Sequence, residues 1–167
     1  MPRARIKTIV AIAKSKGAVL NIRLAKIEYD QFHTVIDLEL EEAQEEHLPS
    51  NLYSIAESSF SETCHTRAIW SEDTIVGFLM YRFGEEESEL HECTIWRFMI
   101  DRRYQNSGIG KAAMPLLLEE IKQNDQCSVV EIYYDEKNVA AKKLYTQYGF
   151  KPVGKRDDGD IIAIMNV

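Results

Sequence analysis

The segment that most constrains the fold is the hexapeptide QNSGIG at residues 105–110. It follows the apolar run CTIWRFMID and precedes KAAMPLLLEEI, whose apolar residues recur at helical spacing. This pattern predicts a strand, a tight glycine turn and a helix. A further strand pattern, SVVEIYY, comes next. We therefore expect a strand–helix–strand unit whose two strands are parallel and whose crossover is right-handed.

Local sequence leaves two interpretations of this turn open. The first is an ordinary connection between a strand and a helix. The second is an anion site, because the first N–H groups of a helix lack partners inside the helix. Gly108 and Gly110 would let an anion approach the backbone closely. Arg102, Arg103 and Lys111 would add positive charge nearby.

The remaining segments alternate between strand and helix patterns. Period-two alternation predicts a strand at NIRLAKI, a strand pair at RAIW and TIVGFLMYRF, and a hairpin of FKPVGKR and DIIAIMNV. Helical spacing predicts helices at DQFHTVIDLELEEAQEEHL, LYSIAESSF and NVAAKKLYTQY, the last opened by Asn138 and closed by Gly149. Pro115 is expected to kink or loosen the helix after the glycine turn. This order predicts an α/β fold in which a mixed sheet carries helices on both faces.

The length of 167 residues suits a single domain with one core, which we place at residues 20–167. Residues 1–19 are basic and form an N-terminal extension; disorder, a misplaced start and a non-native origin are all open. No apolar stretch reaches the roughly 18 residues of a membrane span, and TIVAIA is too short for a secretory signal. We therefore expect a cytoplasmic protein without a membrane partner.

Charge and reactive side chains exclude several functions. The net charge of −7 argues against a nucleic-acid partner and suits a cationic ligand. The three cysteines contain no CxxC pair, and the four histidines show no HxxH or HExxH spacing. We therefore expect no metal site, and we expect thiols in a reducing compartment.

Residues 108–113, GIGKAA, match the GxGxxA fingerprint of dinucleotide-binding folds. That fingerprint belongs to a first βα turn with further βαβ units after it, whereas 54 residues follow Ala113 here. The P-loop pattern fails, because Lys111 lacks the required spacing and no Ser or Thr follows it. A nucleotide-dependent oxidoreductase stays as an alternative that nicotinamide binding would distinguish.

A better match is Gln-x-x-Gly-x-Gly at residues 105–110, after a strand ending IDRRY and about thirty residues before NVAAKKLYTQYGF. This ordered pair resembles the GNAT superfamily of acetyl-coenzyme A-dependent N-acetyltransferases, roughly over residues 20–167. LPSNLYSIAESS and WRFMIDRRYQNSGIGKAAM resemble, more narrowly, bacterial spermine/spermidine N-acetyltransferases. The resemblance implies a mixed, mostly antiparallel central sheet of roughly six to seven strands, and it implies acetyl-CoA as co-substrate.

The resemblance also implies which residues bind the cofactor. In the family, backbone N–H groups of the glycine turn bind the pyrophosphate, and the end of the preceding strand pairs with the pantetheine arm. Asn138 lies where the family contacts that arm, and Lys143 would meet the 3′-phosphate or simply face water. The implied cofactor-binding residues are Phe98, Met99, Ile100, Gln105, Asn106, Ser107, Gly108, Ile109, Gly110, Lys111, Asn138 and Lys143.

Acetyl transfer to an amine needs an acid for the leaving thiolate and a base for the amine. Tyr145 lies where the family places its general acid, and the alternative is a core tyrosine on the apolar stripe of its helix. Some family members carry a glutamate that serves as the general base on the strand before the turn. Thr94 falls closest to that position here, and Glu92 shares its strand face. Glu92 is therefore the candidate base, acting through water, with a solvated glutamate as the alternative.

The expected acceptor is a small cationic amine. The family builds its acceptor site from the first helices and the last hairpin. Glu41 and Glu57 are therefore candidates to bind a polyamine, with a solvated helix face as the alternative. The sequence thus predicts acetyl transfer to a primary amine, preferably spermidine or spermine. A protein amino group, an aminoglycoside-like amine and a non-catalytic coenzyme A-binding module stay open. GNAT relatives are often dimers, so we expect a homodimer.

Overall fold

The computed structural model describes residues 10–15, 18–45, 48–84 and 92–167, with side chains from residue 20 onward. The strands are β1 (Val10–Ser15), β2 (Ala18–Ala25), β3 (Cys64–Ser71), β4 (Thr74–Phe83), β5 (Glu92–Ile100), β6 (Val129–Tyr134), β7 (Lys151–Lys155) and β8 (Ile161–Asn166). The helices are α1 (Phe32–Ile36), α2 (Glu42–Glu45), α3 (Asn51–Ser58), α4 (Ile109–Lys122) and α5 (Val139–Gln147). Short 3-10 turns cover Tyr29–Gln31 and Arg102–Tyr104.

The described strands form one sheet of eight, in the order β1-β2-β3-β4-β5-β6-β8-β7. Neighbouring strands are antiparallel except β5 and β6, which are parallel. Along the chain, α4 connects these two strands. The predicted mixed, mostly antiparallel fold and its strand–helix–strand unit are therefore confirmed. The sheet has eight strands where six to seven were expected, and one of the additional pairings joins β1 to β2. β1 lies inside the segment that the sequence pattern assigned to the extension.

Helices cover both faces of the sheet, as the sequence predicted. On one face, α4 and α5 pack over a core that includes the buried side chains of Leu117, Ile121 and Ile132. On the other face, the region of α1 and α3 packs over Phe78 and Met80. Among the described ranges, none of the helices combines the length and apolar character that a membrane span requires.

The prediction of one long helix over DQFHTVIDLELEEAQEEHL is wrong. α1 ends at Ile36, residues 38–41 are not helical, and α2 covers one turn. The reason is a pair of hydrogen bonds to a distant segment. The Glu39 N–H donates to the Asp101 carboxylate at 3.0 Å, and the Glu39 carbonyl accepts from the Arg102 N–H at 2.8 Å. Apolar spacing cannot reveal this competitor, because the Asp101 partner lies 62 residues away.

The hairpin of β7 and β8 closes one end of the sheet. Its turn contains Gly159 at φ 97°, a left-handed conformation that favours glycine, so the predicted hairpin is confirmed. β7 is the edge strand, and all five of its residues are exposed. It reads KPVGK, with Lys151 and Lys155 at its ends and Pro152 between them.

A buried ion pair fastens α4 to the sheet. Arg67 of β3 and Glu120 of α4 are 3% and 8% exposed, and the guanidinium contacts the carboxylate directly. The Tyr81 hydroxyl donates to the same carboxylate at 2.8 Å. Burial raises the pKa of the Tyr81 hydroxyl, so Tyr81 keeps its proton and acts as a donor. A buried ion of this kind is costly once its partner is removed.

We expect Arg67→Met to lower the free energy of unfolding by about 3–5 kcal/mol, because Glu120 would stay buried without its cation. Glu120→Leu should cost a similar amount. The double variant should cost clearly less than the sum of the two, since no unpaired charge is left behind. Chemical denaturation of the four proteins measures this coupling. Additive losses would show that the two side chains do not depend on each other.

Candidate active site

The sheet opens where β5 and β6 part. Their pairing joins Glu92–Ile95 to Val129–Ile132 and then ends, although β5 continues to Ile100 and β6 to Tyr134. At the same point β5 bulges, since its pairing with β4 passes over Trp96. A cavity of about 320 Å³ fills the gap. Strands that separate in this way leave backbone groups of β5 facing the cavity.

The cavity is lined from three sides. β5 supplies residues around Trp96–Ile100 and β6 supplies residues 132–134. The glycine turn and the two long helices supply most of the others, and the segment between α1 and α3 and the turn of the final hairpin complete the lining. The lining residues are Leu40, Gln44, Leu48, Ile95, Trp96, Phe98, Met99, Ile100, Tyr104, Gln105, Asn106, Gly108, Ile109, Gly110, Lys111, Ile132, Tyr133, Tyr134, Asp135, Asn138, Ala140, Ala141, Leu144, Tyr145 and Asp160.

The glycine turn is shaped to bind an anion. Asn106 and Gly108 both have left-handed backbones, at φ 58° and 87°, and α4 begins directly after Gly108. Left-handed residues interspersed in a turn gather successive N–H groups around one point. The first N–H groups of α4 lack helical acceptors and add the positive end of the helix dipole. The turn therefore offers donors for a phosphate-sized anion at the cavity.

Side-chain hydrogen bonds to neighbouring segments hold this turn in its conformation. The Gln105 amide donates to the Ile100 carbonyl at 3.0 Å and to the Gln44 Oε1 at 2.8 Å. The Ser107 hydroxyl donates to the Tyr104 carbonyl. Gln105 and Ser107, both predicted to bind cofactor, thus use their side chains to shape the turn. Ser107 is also absent from the cavity lining.

The charges near the turn differ from the expectation. Arg102 contacts the Glu39 carboxylate, and the Arg103 Nε donates to Asp101 at 2.8 Å. Two of the three cations expected for the anion are therefore in ion pairs. Lys111 lines the cavity and is the cation that the turn itself presents.

The position of Gly110 has space for a side-chain methyl group. A methyl group at this position would lie 3.6 Å from Phe98 Cε1 and 3.7 Å from Ile100 Cγ1, which is ordinary contact. The packing of the protein would thus accept alanine here, and alanine is the better helix former. A glycine at such a place fits a ligand that approaches the backbone closely.

Tyr145 lies in the cavity wall beside two other rings. Its ring centroid is 5.5 Å from Tyr134 and 5.9 Å from Phe150, and the side chain is buried. Burial raises the pKa of the Tyr145 hydroxyl, and the neighbouring Tyr134 adds to the shift. Asn138 caps α5, because its side-chain oxygen accepts from the Ala141 N–H at 2.9 Å. This cap confirms the predicted start of the helix that carries Tyr145.

A polar group that the sequence pattern did not single out lies on β6. The Tyr133 hydroxyl donates to the Glu131 carboxylate, and Tyr133 lines the cavity. Burial, followed by the hydrogen bond to Glu131, raises the pKa of Tyr133 to about 12. Asp135 and Asp160 also line the cavity. The signal was available in SVVEIYY, whose alternation puts Glu131 and Tyr133 on one strand face.

Five predicted residues lie away from the cavity lining: Ser107, whose side chain shapes the turn, and four charged residues. Glu92 is the first residue of β5, at the far end of the strand from the turn. Glu57 pairs with Arg97 at 3.4 Å, while Glu41 and Lys143 are exposed. The other predicted cofactor residues and Tyr145 come together around the cavity. Within the described ranges, no group of three or more His, Cys, Asp or Glu side chains is arranged to hold a metal ion.

Comparison with known proteins identifies a matching family. Residues 32–150 match the model of the Acetyltransferase (GNAT) family. The chain is 26% identical over 141 residues to a spermine/spermidine N(1)-acetyltransferase of Bacillus subtilis, covering 83% of this chain and 93% of that protein.

Two solved structures share the fold. The ribosomal-protein-S18-alanine N-acetyltransferase of Escherichia coli has a TM-score of 0.68 and 17% identity, covering 87% of this chain and 94% of its own. The PaiA N-acetyltransferase of Thermoplasma acidophilum, solved in complex with coenzyme A, has a TM-score of 0.65 and 18% identity, covering 87% and 99%.

Asp101 gives a pH-dependent prediction for the base of the turn. Burial alone would raise the pKa of this carboxyl, but hydrogen bonds from Arg103 and from the Glu39 N–H outweigh burial and lower the pKa. A lowered folded-state pKa stabilises the protein above the ordinary pKa of about 3.9, and this stability is lost as pH falls through the folded value. We expect Asp101→Asn to lower the free energy of unfolding by about 1–3 kcal/mol at pH 7, because the amide N–H₂ of asparagine would point at hydrogen-bond donors and could not accept from them.

The difference in unfolding free energy between the parent and Asp101→Asn should shrink at acidic pH. Chemical denaturation at a series of pH values measures it, and Asp157→Asn, at an exposed position, is the matched control. A difference that stays constant into strong acid would contradict the role of the ionised carboxylate.

Proposed function

The chain belongs to the acetyltransferase (GNAT) family, and we propose that it transfers the acetyl group of acetyl-coenzyme A to a primary amine, with spermidine or spermine as acceptor. One observation carries this proposal: the left-handed glycine turn and Tyr145 open into the same cavity. An anion held by the turn would place the rest of a long ligand along β5, toward Tyr145.

The proposed cofactor site combines the turn with the free edge of β5. Backbone N–H groups from about Gln105 to Lys111 bind the diphosphate, with the Lys111 ammonium as countercharge. Beyond Ile95, β5 has no partner strand on its β6 side in the described part of the chain. Backbone groups of Phe98–Ile100 therefore hold the cofactor arm as an added strand would be held. The space at Gly110 supports this arrangement.

Bound acetyl-CoA would supply a thioester carbonyl for the amine to attack and a thiolate as the leaving group. Tyr145 donates its hydroxyl proton to that sulfur, so that its O–H bond breaks as an S–H bond forms. A free thiol has a pKa of about 8.5 and a tyrosine about 10, so the transfer is uphill. Burial raises the pKa of Tyr145 further. The same burial also raises the pKa of the thiol, which limits the difference between the two.

The amine must lose a proton before or during attack. At pH 7, deprotonating a primary ammonium of pKa near 10.4 costs about 4–5 kcal/mol. Tyr133 takes this proton on its oxygen while its own proton passes to Glu131, which is half-buried and can exchange with water. Glu92, the candidate base from the sequence pattern, does not line the cavity.

Two features support a polyamine acceptor. Asp135 and Asp160 are among the residues that line the cavity, and acidic residues there suit an amine with a second ammonium group. The similar protein from Bacillus subtilis is named for spermine and spermidine. A protein amino group is the second candidate, because the fold is shared with an enzyme named for an alanine of a ribosomal protein.

The acceptor is tested by steady-state acetylation of an amine panel by the full chain with acetyl-CoA. The panel contains spermidine, spermine, a monoamine, an aminoglycoside and peptides with free N-termini. We expect the polyamines to have the highest kcat/KM, by about tenfold or more, because a second ammonium meets a carboxylate. Asp160→Asn should reduce this preference, and Asp157→Asn should not.

Turnover of peptides without polyamines would contradict the polyamine acceptor and favour the protein amine. Binding of coenzyme A without turnover of any amine would favour the non-catalytic module. Binding of a nicotinamide cofactor in place of coenzyme A would contradict the proposed function as a whole.

We expect Tyr145→Phe to lower kcat at least about tenfold, because the leaving thiolate loses its proton donor. The affinity for coenzyme A should change little, since the ring and its contacts remain. Rapid kinetics and calorimetry measure the two quantities separately. Tyr134→Phe is the matched control, since Tyr134 lines the same cavity beside Tyr145. Equal rates for Tyr145→Phe and the parent would remove Tyr145 from this role.

A further inference from the structure

α4 contains a proline within the helix, and the helix runs through it without a break. Pro115 is the seventh residue of α4, which extends from Ile109 to Lys122. A proline has no N–H, so it cannot donate to the carbonyl four residues earlier, which is that of Lys111. This defect lies next to the glycine turn, because Lys111 belongs to the first turn of α4.

The missing donor is replaced from another helix. The Tyr148 hydroxyl donates a hydrogen bond to the Lys111 carbonyl, across 37 residues of sequence. Tyr148 is the C-cap residue of α5, three positions after Tyr145, and Gly149 follows it in a left-handed conformation. The hydroxyl thus supplies a donor to a carbonyl that has no N–H partner at residue 115.

This bond joins the two parts of the cavity that the chemistry must align. α4 begins at the turn that presents N–H groups, and α5 carries Tyr145. The bond from Tyr148 to Lys111 links these two helices directly. Leu144 adds an apolar contact, since a methyl group at Gly110 would lie 3.9 Å from Leu144 Cδ2.

We propose that Tyr148 is a positioning residue. Its hydroxyl donates to the Lys111 carbonyl, which has no helical donor because residue 115 is proline, and this bond holds the cofactor-binding turn in place relative to the helix of Tyr145. The inference rests on the proposed function, because it assigns the turn to coenzyme A. Tyr148 acts on the cofactor through Lys111 and does not touch the reacting atoms. Its effect is greatest on coenzyme A binding, because the Lys111 peptide is part of the turn.

The pair offers its own internal control. Tyr148→Phe removes the hydroxyl and keeps the ring, which leaves the Lys111 carbonyl without this donor. Pro115→Ala restores an N–H at residue 115, so the carbonyl gains an ordinary helical partner and no longer depends on Tyr148. The two substitutions therefore form a double-mutant cycle in which one makes the other harmless.

The experiment measures the dissociation constant of coenzyme A by calorimetry, and KM for acetyl-CoA and kcat by steady-state kinetics. Tyr148→Phe should weaken coenzyme A binding and raise this KM roughly twofold to tenfold, the range expected for one hydrogen bond. The change in kcat should be smaller than the change in KM. In the Pro115→Ala background, the same substitution should leave both constants close to those of Pro115→Ala alone.

Thermal unfolding of all four proteins separates positioning from general stability. Tyr53→Phe is the control for losing an exposed tyrosine hydroxyl, since Tyr53 is 56% exposed. A lower Tm with unchanged coenzyme A affinity in Tyr148→Phe would overturn the positioning role, as would an equal effect in both backgrounds. If the parent itself fails to bind coenzyme A, the proposed function fails, and that result is distinct from either of these.

Discussion

The parting of β5 and β6 is the constraint on which the rest of the site depends. Parallel strands normally pair along their length, and here the pairing stops after four residues on each strand. The bulge at Trp96 turns β5 away at that point. The gap exposes backbone groups that a continuous sheet would satisfy, and a ligand that runs along β5 can satisfy them instead. The cavity is thus a consequence of sheet geometry before any side chain is considered.

The turn at the end of β5 is organised before a ligand arrives. Asp101, fully buried, accepts hydrogen bonds from Arg103 and from the Glu39 N–H, and Gln105 binds both Ile100 and Gln44. These bonds connect the turn to the segment after α1. Under the proposed function, an anion would meet donors whose positions are already set, so little ordering would be required on binding. The buried pair of Arg67 and Glu120 holds the far end of α4 in the same way.

The sequence revealed most of what is local. The strand, turn and helix around QNSGIG, the cap at Asn138 and the final hairpin each depend on a few neighbouring residues, and all three are confirmed. Long-range contacts could not be predicted from the sequence pattern. No spacing rule shows that the Asp101 carboxylate accepts from the Glu39 N–H and so ends a helix. Nor does one show that Arg102 and Arg103 form ion pairs with acidic residues. The acid expected at Tyr145 lines the cavity, whereas Glu41 and Glu57 do not, because helical spacing locates a face and not its neighbours.

The exposed edge at β7 has a consequence for how the molecule meets its own copies. An unpaired edge strand is a template onto which another chain can add and start an aggregate. Pro152 cannot donate to a foreign strand, and Lys151 and Lys155 place charge at both ends of this short segment. Lys155 is further held by Glu136 at 2.6 Å. The strand therefore completes the sheet while discouraging the addition of a strand from another copy.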